Sequence, residues 1–544
     1  MDVRSQGHGR WAVPLLLVSS LLATPRAAAA ASAPDVRAEI GVGGWVSPGE
    51  VVPLRIDVLS SSPIAGMLFV EVPSGIRGGL PVTHLLPLRL PGGGRHQAQL
   101  DIIVHDPRRP IVIGVRDGRG ERARLELPVG AGRVVEGVVA ALTREAAGLE
   151  FLAGTEEKRR PAYLTEAELP VRWQAYDAVD LLIVRDLDPR AVLPAQERAL
   201  VEWVAQGGRL LVVVPQRLNL DEARWLRDLL PAGGRRTYGR GEVAVAPVDL
   251  FAPARRARGE LRAQVLTLLA RPGGPSLGGA ALEGVLPTTR PLSGGTQLGL
   301  AILSLLYVVA VRVLLRRLGA ARGGWILIAA LIGSSTAALY TFAAGARSAA
   351  TALAQISVAE MLGTLSHSSV TTYASIIAPY GGRFTVRVPD GVAARALHDA
   401  AVVHDEGARE IRGSAAGGQV SIIGRQIVTF RLGARRSAPD VLVVDRGAPR
   451  LQDALLYRQR QLYRLPSAPA GTIRLDPARW EPVDRPGTLG LDAAGRATDL
   501  LFRYLDRAPD ATWLIGRIAD ERLGLRTERG AAGDAVRLVV MEVH

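Results

Sequence analysis

A chain of 544 residues is too long to fold around one core, so its length predicts about three or four domains. The absence of cysteine excludes disulfide bonds, thiolate metal sites and cysteine nucleophiles. The formal net charge is +14, but the arginines are spread along the chain and aromatic residues make up only 5% of it. We therefore expect no nucleic-acid partner, since such a partner requires a concentrated basic surface.

Residues 1–30 have the pattern of a secretory signal peptide. Arg4 and Arg10 form a basic start, residues 11–23 are apolar, and the small residues of TPRAAAAASA follow. An apolar run of about 13 residues is short for a transmembrane helix and typical of a signal peptide. The pattern predicts export of the segment that follows, whether the peptide is cleaved or remains as an anchor.

Residues 35–130 are predicted to form an antiparallel β-sandwich. Segments such as GMLFVEVP and RHQAQLDIIVHD have the length of strands and are separated by glycine and proline. Turn signals at intervals of about 8 to 12 residues are typical of sandwiches. The DGRG stretch at 117–120 predicts a hairpin turn between two strands.

Residues 131–270 change to an α/β pattern. RVVEGVVAALT and YDAVDLLIVRDLD (176–188) read as strands buried on both faces, because their apolar residues do not alternate with polar ones. PAQERALVEWVAQGG (194–208) reads as an amphipathic helix that ends at the glycine pair, and RLLVVVPQ is the next strand. This order predicts a βαβ unit of a doubly wound sheet.

The segments YDAVDLLIV, RDLDPRAVLP and QERALVEWVAQGGRLLVVV resemble the class I glutamine-amidotransferase-like fold. The amidotransferase mechanism requires a cysteine nucleophile with a nearby histidine. This chain has no cysteine, and no histidine lies between His105 and His367. The resemblance therefore implies a degenerate domain without that activity.

Asp186 and Asp188 follow the predicted strand that ends in LLIV. Ligands of doubly wound sheets bind at the carboxyl ends of the strands, so these two carboxylates are candidates for a small polar or cation site. Alternatively, they cap the following helix and shape its turn, as aspartates before helices commonly do.

After a linker at 271–297, the chain contains two long apolar runs. Residues 298–315 and 325–346 each have the length of a transmembrane helix, and a short loop at 316–324 connects them. The pattern predicts a two-helix transmembrane hairpin. A buried helical hairpin of a soluble domain is the alternative.

Arginines concentrate in and beside the loop between these runs. They are Arg312, Arg316, Arg317 and Arg322. Under the positive-inside rule they place the loop in the cytoplasm and both large regions outside. The sequence thus predicts a protein of the bacterial cytoplasmic (inner) membrane, with the lipid bilayer and proteins of the cell envelope as partners.

Residues 350–544 are again rich in strand patterns, and LQDALLYRQRQLYRLPSAPAGTIRLD (451–476) resembles the immunoglobulin-like repeats of bacterial envelope proteins. Residues 495–508 are predicted to form a helix. The fold class predicted for the chain is multi-domain α/β plus all-β. The order of regions resembles uncharacterised bacterial membrane proteins with an extracytoplasmic sandwich, a degenerate amidotransferase-like domain and a membrane hairpin.

Two polar clusters are the remaining candidates for chemistry. LHDAAVVHDE contains His398 and His404 with three carboxylates, which are candidates to bind a ligand. We favour an exposed loop or strand edge instead, because the spacing implies no third metal ligand. LSHSSVTTY contains His367 between serines but no nucleophile elbow. We expect no bound metal and no cofactor.

These patterns predict a non-enzymatic, membrane-anchored envelope protein that binds or scaffolds other envelope components. One alternative is an auxiliary subunit of an ABC-type exporter, because amidotransferase-like domains occur in such proteins. The other is a hydrolase acting on an envelope polymer, which would depend on Asp186, Asp188 or His367.

Overall fold

A computed structural model describes residues 33–270, 294–318, 329–337 and 352–543, apart from gaps within these ranges. The gaps are 75–80, 145, 155–158, 214–217, 219, 232–233, 248, 250, 252–254, 331, 363–366, 378–382, 390–391, 397–399, 406–407, 415–418, 430–433, 439–440, 445–450, 459–460, 466–470, 475–480, 484–511, 519–524 and 528–534.

The first region is built from antiparallel strands. They are β1 (Asp35–Ile40), β2 (Val51–Ser60), β3 (Ile64–Val72), β4 (Val82–Leu90), β5 (Gly94–Ile103), β6 (Ile111–Asp117) and β7 (Gly120–Leu127). β1, β2 and β5 form one sheet, and β3, β4, β6 and β7 are neighbours in another. Leu54 in β2 and Leu68 in β3 are fully buried in the core that the two sheets enclose. The two sheets therefore pack as a sandwich.

The second region alternates strands and helices. They are β8 (Gly137–Leu142), β9 (Arg159–Leu164), β10 (Val179–Val184), α1 (Pro194–Ala205), β11 (Arg209–Val213), α2 (Arg224–Leu229), β12 (Arg235–Tyr238), β13 (Gly241–Ala246) and α3 (Arg255–Ala270). The sheet order is β12-β13-β11-β10-β8-β9, and β12 is antiparallel to β13 while the other neighbours are parallel.

Both faces of this sheet are covered, which explains why its strands are apolar throughout. Leu182 of β10 faces a core that includes Trp203 of α1, whereas its neighbour Ile183 faces a core that includes Val265 of α3. Successive residues of a strand point to opposite faces, so every position must be apolar.

A long helix and, at 329–330 and 332–337, a short helical stretch precede the third region. The long helix, α4 (Gly294–Leu318), exposes several large apolar side chains and has Arg316 and Arg317 in its last turn. Among the residues that the structure describes, no helix meets both the length and the hydropathy that crossing a bilayer requires.

The third region consists of strands. They are β14 (Ala352–Met361), β15 (His367–Ile377), β16 (Arg383–Val388), β17 (Ala393–Ala396), β18 (Ala400–Asp405), β19 (Ala408–Ser414), β20 (Gln419–Thr429), β21 (Ala434–Ala438), β22 (Val441–Val444), β23 (Gln452–Arg458), β24 (Gln461–Arg464), β25 (Gly471–Arg474), β26 (Glu481–Val483), β27 (Thr512–Arg517), β28 (Arg526–Thr527) and β29 (Ala535–Val543). The predicted helix at 495–508 lies outside the described residues.

The first and third regions share one sheet. Its strand order is β28-β16-β19-β18-β4-β3-β6-β7, so four strands of the third region are followed by four strands of the first with no break. The junction is a parallel pairing of β18 with β4, in which Val402 lies opposite His84. A second sheet, of order β17-β20-β15-β14-β29-β27-β23-β24-β26, packs on the third-region part of this sheet. β21, β22 and β25 form a separate small sheet.

The predicted fold class, multi-domain α/β plus all-β with a doubly wound domain and a membrane hairpin, is wrong. The described chain is mostly β-sheet. A doubly wound domain needs helical crossovers between successive strands, but the described residues between β8 and β9 and between β9 and β10 contain only 3-10 turns, Glu150–Gly154, Glu166–Glu168 and Trp173–Tyr176.

The predicted transmembrane hairpin and the inner-membrane location are also wrong, because no described helix could span a membrane. Hydropathy predicts two continuous spans over 298–346, whereas the described residues there are a helix that ends at Leu318 and a short helical stretch at 329–330 and 332–337. Arg312, Arg316 and Arg317 lie on this helix, and Arg322 lies outside the described residues.

Candidate functional site

A small cavity lies where the three regions meet. Its volume is about 50 Å³, which is room for a few water molecules or one small ligand. Its polar and charged lining residues are His84, Asp101, His105, Gln174, Arg409 and Arg425. The first three belong to the first region, Gln174 to the second and the two arginines to the third. A ligand in this cavity would therefore touch all three regions.

Two histidines form a hydrogen-bonded pair at one side of the cavity. His84 lies on β4 and His404 on β18, and the parallel pairing of these strands brings the two residues together. Nδ1 of His84 is 3.2 Å from Nε2 of His404, and the ring centroids are 5.5 Å apart with 24° between the ring planes. A hydrogen bond between two imidazoles requires one ring nitrogen to donate and the other to accept.

The surroundings of this pair favour the neutral form of both rings. Burial, with a smaller contribution from the nearby His404, lowers the pKa of His84 to about 3. Burial also lowers the pKa of His404 to about 4, with an added contribution from the positive charge of Arg172. Both histidines are therefore uncharged near neutral pH, which is compatible with their mutual hydrogen bond.

A carboxylate and an arginine lie beside the pair. Nη1 of Arg172 donates to Oδ2 of Asp101 at 3.2 Å, and the Asp101 side chain is only 8% exposed. Burial raises the pKa of Asp101, while the charge and hydrogen bond of Arg172 act in the opposite direction. The ion pair thus partly compensates a carboxylate that the fold has removed from water.

Arg425 connects the second and third regions at another wall of the cavity. Its Nη1 donates to Oδ2 of Asp177 at 2.5 Å, and its guanidinium carbon lies 4.6 Å from the ring centroid of Trp173. Nε2 of Gln174 donates to the backbone carbonyl of Arg425 at 3.4 Å. The 3-10 turn Trp173–Tyr176 is therefore fixed against β20.

Arg409 completes the polar lining. It lies on β19 opposite His404 of β18, and it is partly buried. In the described part of the chain, no carboxylate forms an ion pair with its guanidinium. This distinguishes Arg409 from Arg425, whose charge is balanced by Asp177.

The residues singled out from the sequence lie in different places. His404 is hydrogen-bonded to His84, which lines the cavity, whereas His398 lies outside the described residues. Oδ2 of Asp186 accepts hydrogen bonds from the hydroxyl of Thr143 and the backbone N–H of Arg144. These contacts hold the loop after β8.

Asp188 has a turn-forming role. Its Oδ1 accepts from the backbone N–H of Arg190 at 3.0 Å, and its own N–H donates to Glu166. His367 is the exposed first residue of β15. None of these residues lines the cavity.

Most of the site was not foreseen from the sequence. His84, Asp101, Arg172 and Arg409 carry no local motif, and His84 meets His404 across 320 positions of the chain.

Within the described residues, no group of three or more histidine, aspartate or glutamate side chains is arranged to hold a metal ion.

Comparisons with known proteins assign no family. No protein-family model and no curated protein matches the chain. One solved structure, a cycloisomaltooligosaccharide glucanotransferase of Paenibacillus sp. complexed with cycloisomaltoheptaose, is 11% identical over 73% of this chain and 72% of its own, with a TM-score of 0.17. A likeness at this TM-score carries neither fold nor activity to this chain.

Proposed function

We propose that this protein is a non-enzymatic binding protein whose ligand occupies the cavity between the three regions. The observation that carries this proposal is the cavity's lining, because polar side chains from three distant parts of the sequence converge on one small space. Small-molecule sites are typically concave, with an apolar wall and a few polar groups that orient the ligand. Apolar side chains such as Ile102, Val402 and Ile423 supply that wall.

The chemistry of the lining favours binding over catalysis. An efficient general base has a pKa near the working pH, whereas those of His84 and His404 lie near 3 and 4. The carboxylates that a hydrolase would use, Asp186 and Asp188, hold backbone turns instead. A resident ligand would stabilise the contacts between regions by mass action.

The proposal is tested by substitutions that fill the cavity. Ala394 lines the cavity and is 8% exposed, so Ala394→Leu places a larger side chain in the space of the ligand. Val402→Ile fills less of the same space, because it adds a single methyl group. Ala401→Leu is the matched control, because Ala401 precedes Val402 on β18 but does not line the cavity. Ligand-detected NMR with acetate, propionate, propionamide, glycerol and inorganic phosphate would measure binding to the full-length chain.

We expect at least one of these solutes to bind to the wild type and to the control, and to lose binding in both filled variants. Circular dichroism would verify that each variant is folded. If no solute binds to the wild type, or if filling the cavity leaves binding unchanged, the proposal is wrong.

A second candidate function, scaffolding of a partner protein, rests on α4. The large apolar side chains that this helix exposes are Ile302, Leu305, Leu306, Val308, Val309 and Val313, each between 46% and 65% exposed. Most recur at spacings of three or four residues and so form a stripe along the helix. An exposed apolar stripe is typical of a surface that packs against an apolar helix of another protein.

This second function is tested by photo-crosslinking in cells. A photoreactive phenylalanine analogue at Leu305 should give one discrete protein adduct, and the same analogue at Arg124, an exposed residue of β7, should not. The adduct should disappear when Val309→Asp interrupts the stripe. Equal labelling at both positions would contradict a specific partner.

A further inference from the structure

The charges of the described residues around the cavity do not cancel. Asp101 is paired with Arg172, and Asp177 is paired with Arg425, whereas Arg409 has no carboxylate partner among the described residues. The histidine pair adds no charge in its neutral form. The described residues therefore leave one positive charge at the cavity unbalanced, that of Arg409.

We propose that the cavity binds a small monocarboxylate anion, with the Arg409 guanidinium as its charge partner. This inference rests on the proposed ligand-binding function and names the class of ligand. A guanidinium presents parallel N–H donors that match the two oxygens of a carboxylate. An anion in the cavity would balance the charge that the described residues leave unbalanced.

The histidine pair can supply a second donor. When Nε2 of His404 donates to Nδ1 of His84, the neutral His84 ring carries its own proton on Nε2. His84 lines the cavity, so this tautomer offers an N–H to a carboxylate oxygen. The opposite tautomer would leave a lone pair there, which an anion disfavours. A bound carboxylate would thus select one of the two tautomers.

Charge limits the ligand further. A volume of about 50 Å³ accommodates a small acid such as acetate or propionate. A dianion such as phosphate would place two negative charges against a single unbalanced arginine and close to Asp101. The cavity should therefore prefer a monocarboxylate over inorganic phosphate.

The experiment compares propionate with propionamide, which has nearly the same shape but no charge, and with inorganic phosphate. Ligand-detected NMR titrations of the full-length chain would give Kd values. We expect propionate to bind at least about tenfold more tightly than propionamide, and Arg409→Gln to raise the propionate Kd by about tenfold or more. Arg409→Lys, which keeps the charge, should restore part of the affinity.

Arg412→Gln is the matched control. Arg412 lies on the same strand, is 56% exposed and pairs with Glu410 away from the cavity, so propionate binding should not change. Equal binding of propionate and propionamide that Ala394→Leu abolishes would overturn the carboxylate assignment and leave the ligand-binding function intact. Tighter binding of phosphate, or an unchanged Kd in Arg409→Gln, would also overturn it, as would the absence of propionate binding.

Discussion

Burial changes the protonation of His84 and His404. In water a histidine takes up a proton below its usual pKa of 6.5, but burial lowers the pKa values of these two to about 3 and about 4. A proton on either ring would place a positive charge near Arg172 and Arg409. Protonation of the accepting ring nitrogen would also remove the acceptor on which their hydrogen bond depends.

The free energy of unfolding should therefore fall when the pH is lowered from 6.5 towards 4. Between these values the unfolded histidines bind protons and the folded ones do not, so acid favours the unfolded state, by up to about 1.4 kcal/mol per pH unit for one histidine. The raised pKa of Asp101 acts in the opposite direction, because the folded carboxyl takes up its proton more readily than the unfolded one. Urea titrations at several pH values would measure the slope.

The double variant His84→Gln with His404→Gln should flatten this slope over the same pH range. His96→Gln, which replaces a histidine of β5 that is not part of the pair, is the control and should retain the wild-type slope. An unchanged slope in the double variant would show that other groups are responsible for any acid sensitivity.

At the scale of single elements, local signals in the sequence predict one helix, two strands and a hairpin turn correctly. Helix α1 begins at Pro194, a residue that suits the first turn, and Gly207 follows it with φ 124°, a conformation that favours glycine. The predicted strands β10 and β11 and the hairpin turn at 117–120 are confirmed for similar reasons. Short apolar runs and turn residues specify such elements independently of the rest of the chain.

The partners of these elements could not be predicted in the same way. Nothing in the sequence of β4 indicates that its neighbour is β18, because strand pairing depends on the whole fold and leaves no local pattern. The candidate site could not be predicted for the same reason, because its residues are brought together by this pairing. The sequence singles out His404 because His398 and three carboxylates lie close to it along the chain. In the structure its hydrogen-bond partner is His84, 320 positions away.

Substitution of Gly208 tests how closely the chain after α1 packs against Trp203 of that helix. A β-carbon at this position would lie 2.4 Å from the ring of Trp203, which is 4% exposed and packs in the core between α1 and the sheet. Because the buried ring has little room to move, Gly208→Ala should lower the free energy of unfolding by about 1–3 kcal/mol. Gly259→Ala is the control.

Gly259 lies in α3 with nothing within 4 Å of the added carbon, so alanine there should raise stability by about 0.5–1 kcal/mol. Chemical denaturation of both variants gives the two values. Destabilisation of equal size at both positions would mean that contact with Trp203 is not the cause.

At the scale of the whole molecule, the junction of β4 with β18 determines whether the cavity exists. Among the described strands, the sheet continues from the first region into the third through this pairing, and His84, Val402 and His404 lie at it. If the two regions folded as independent units, β4 would be an exposed edge strand, which is a site of unwanted association. The binding function proposed above therefore depends on a long-range contact rather than on either region alone.

The absence of cysteine makes this junction directly testable. Thr83 and Ala401 lie opposite each other in the parallel register, so Thr83→Cys with Ala401→Cys should be joined efficiently by a short bismaleimide in the native protein and poorly in urea. Arg89→Cys with Ala401→Cys is the control, because Arg89 lies six residues further along β4 and pairs with Ala65 of β3. Mass spectrometry of the digested product would identify the linked peptides. Equal yields from the two pairs would mean that the strands do not adopt this register, and the cavity, with the ligand site proposed for it, would lose its structural basis.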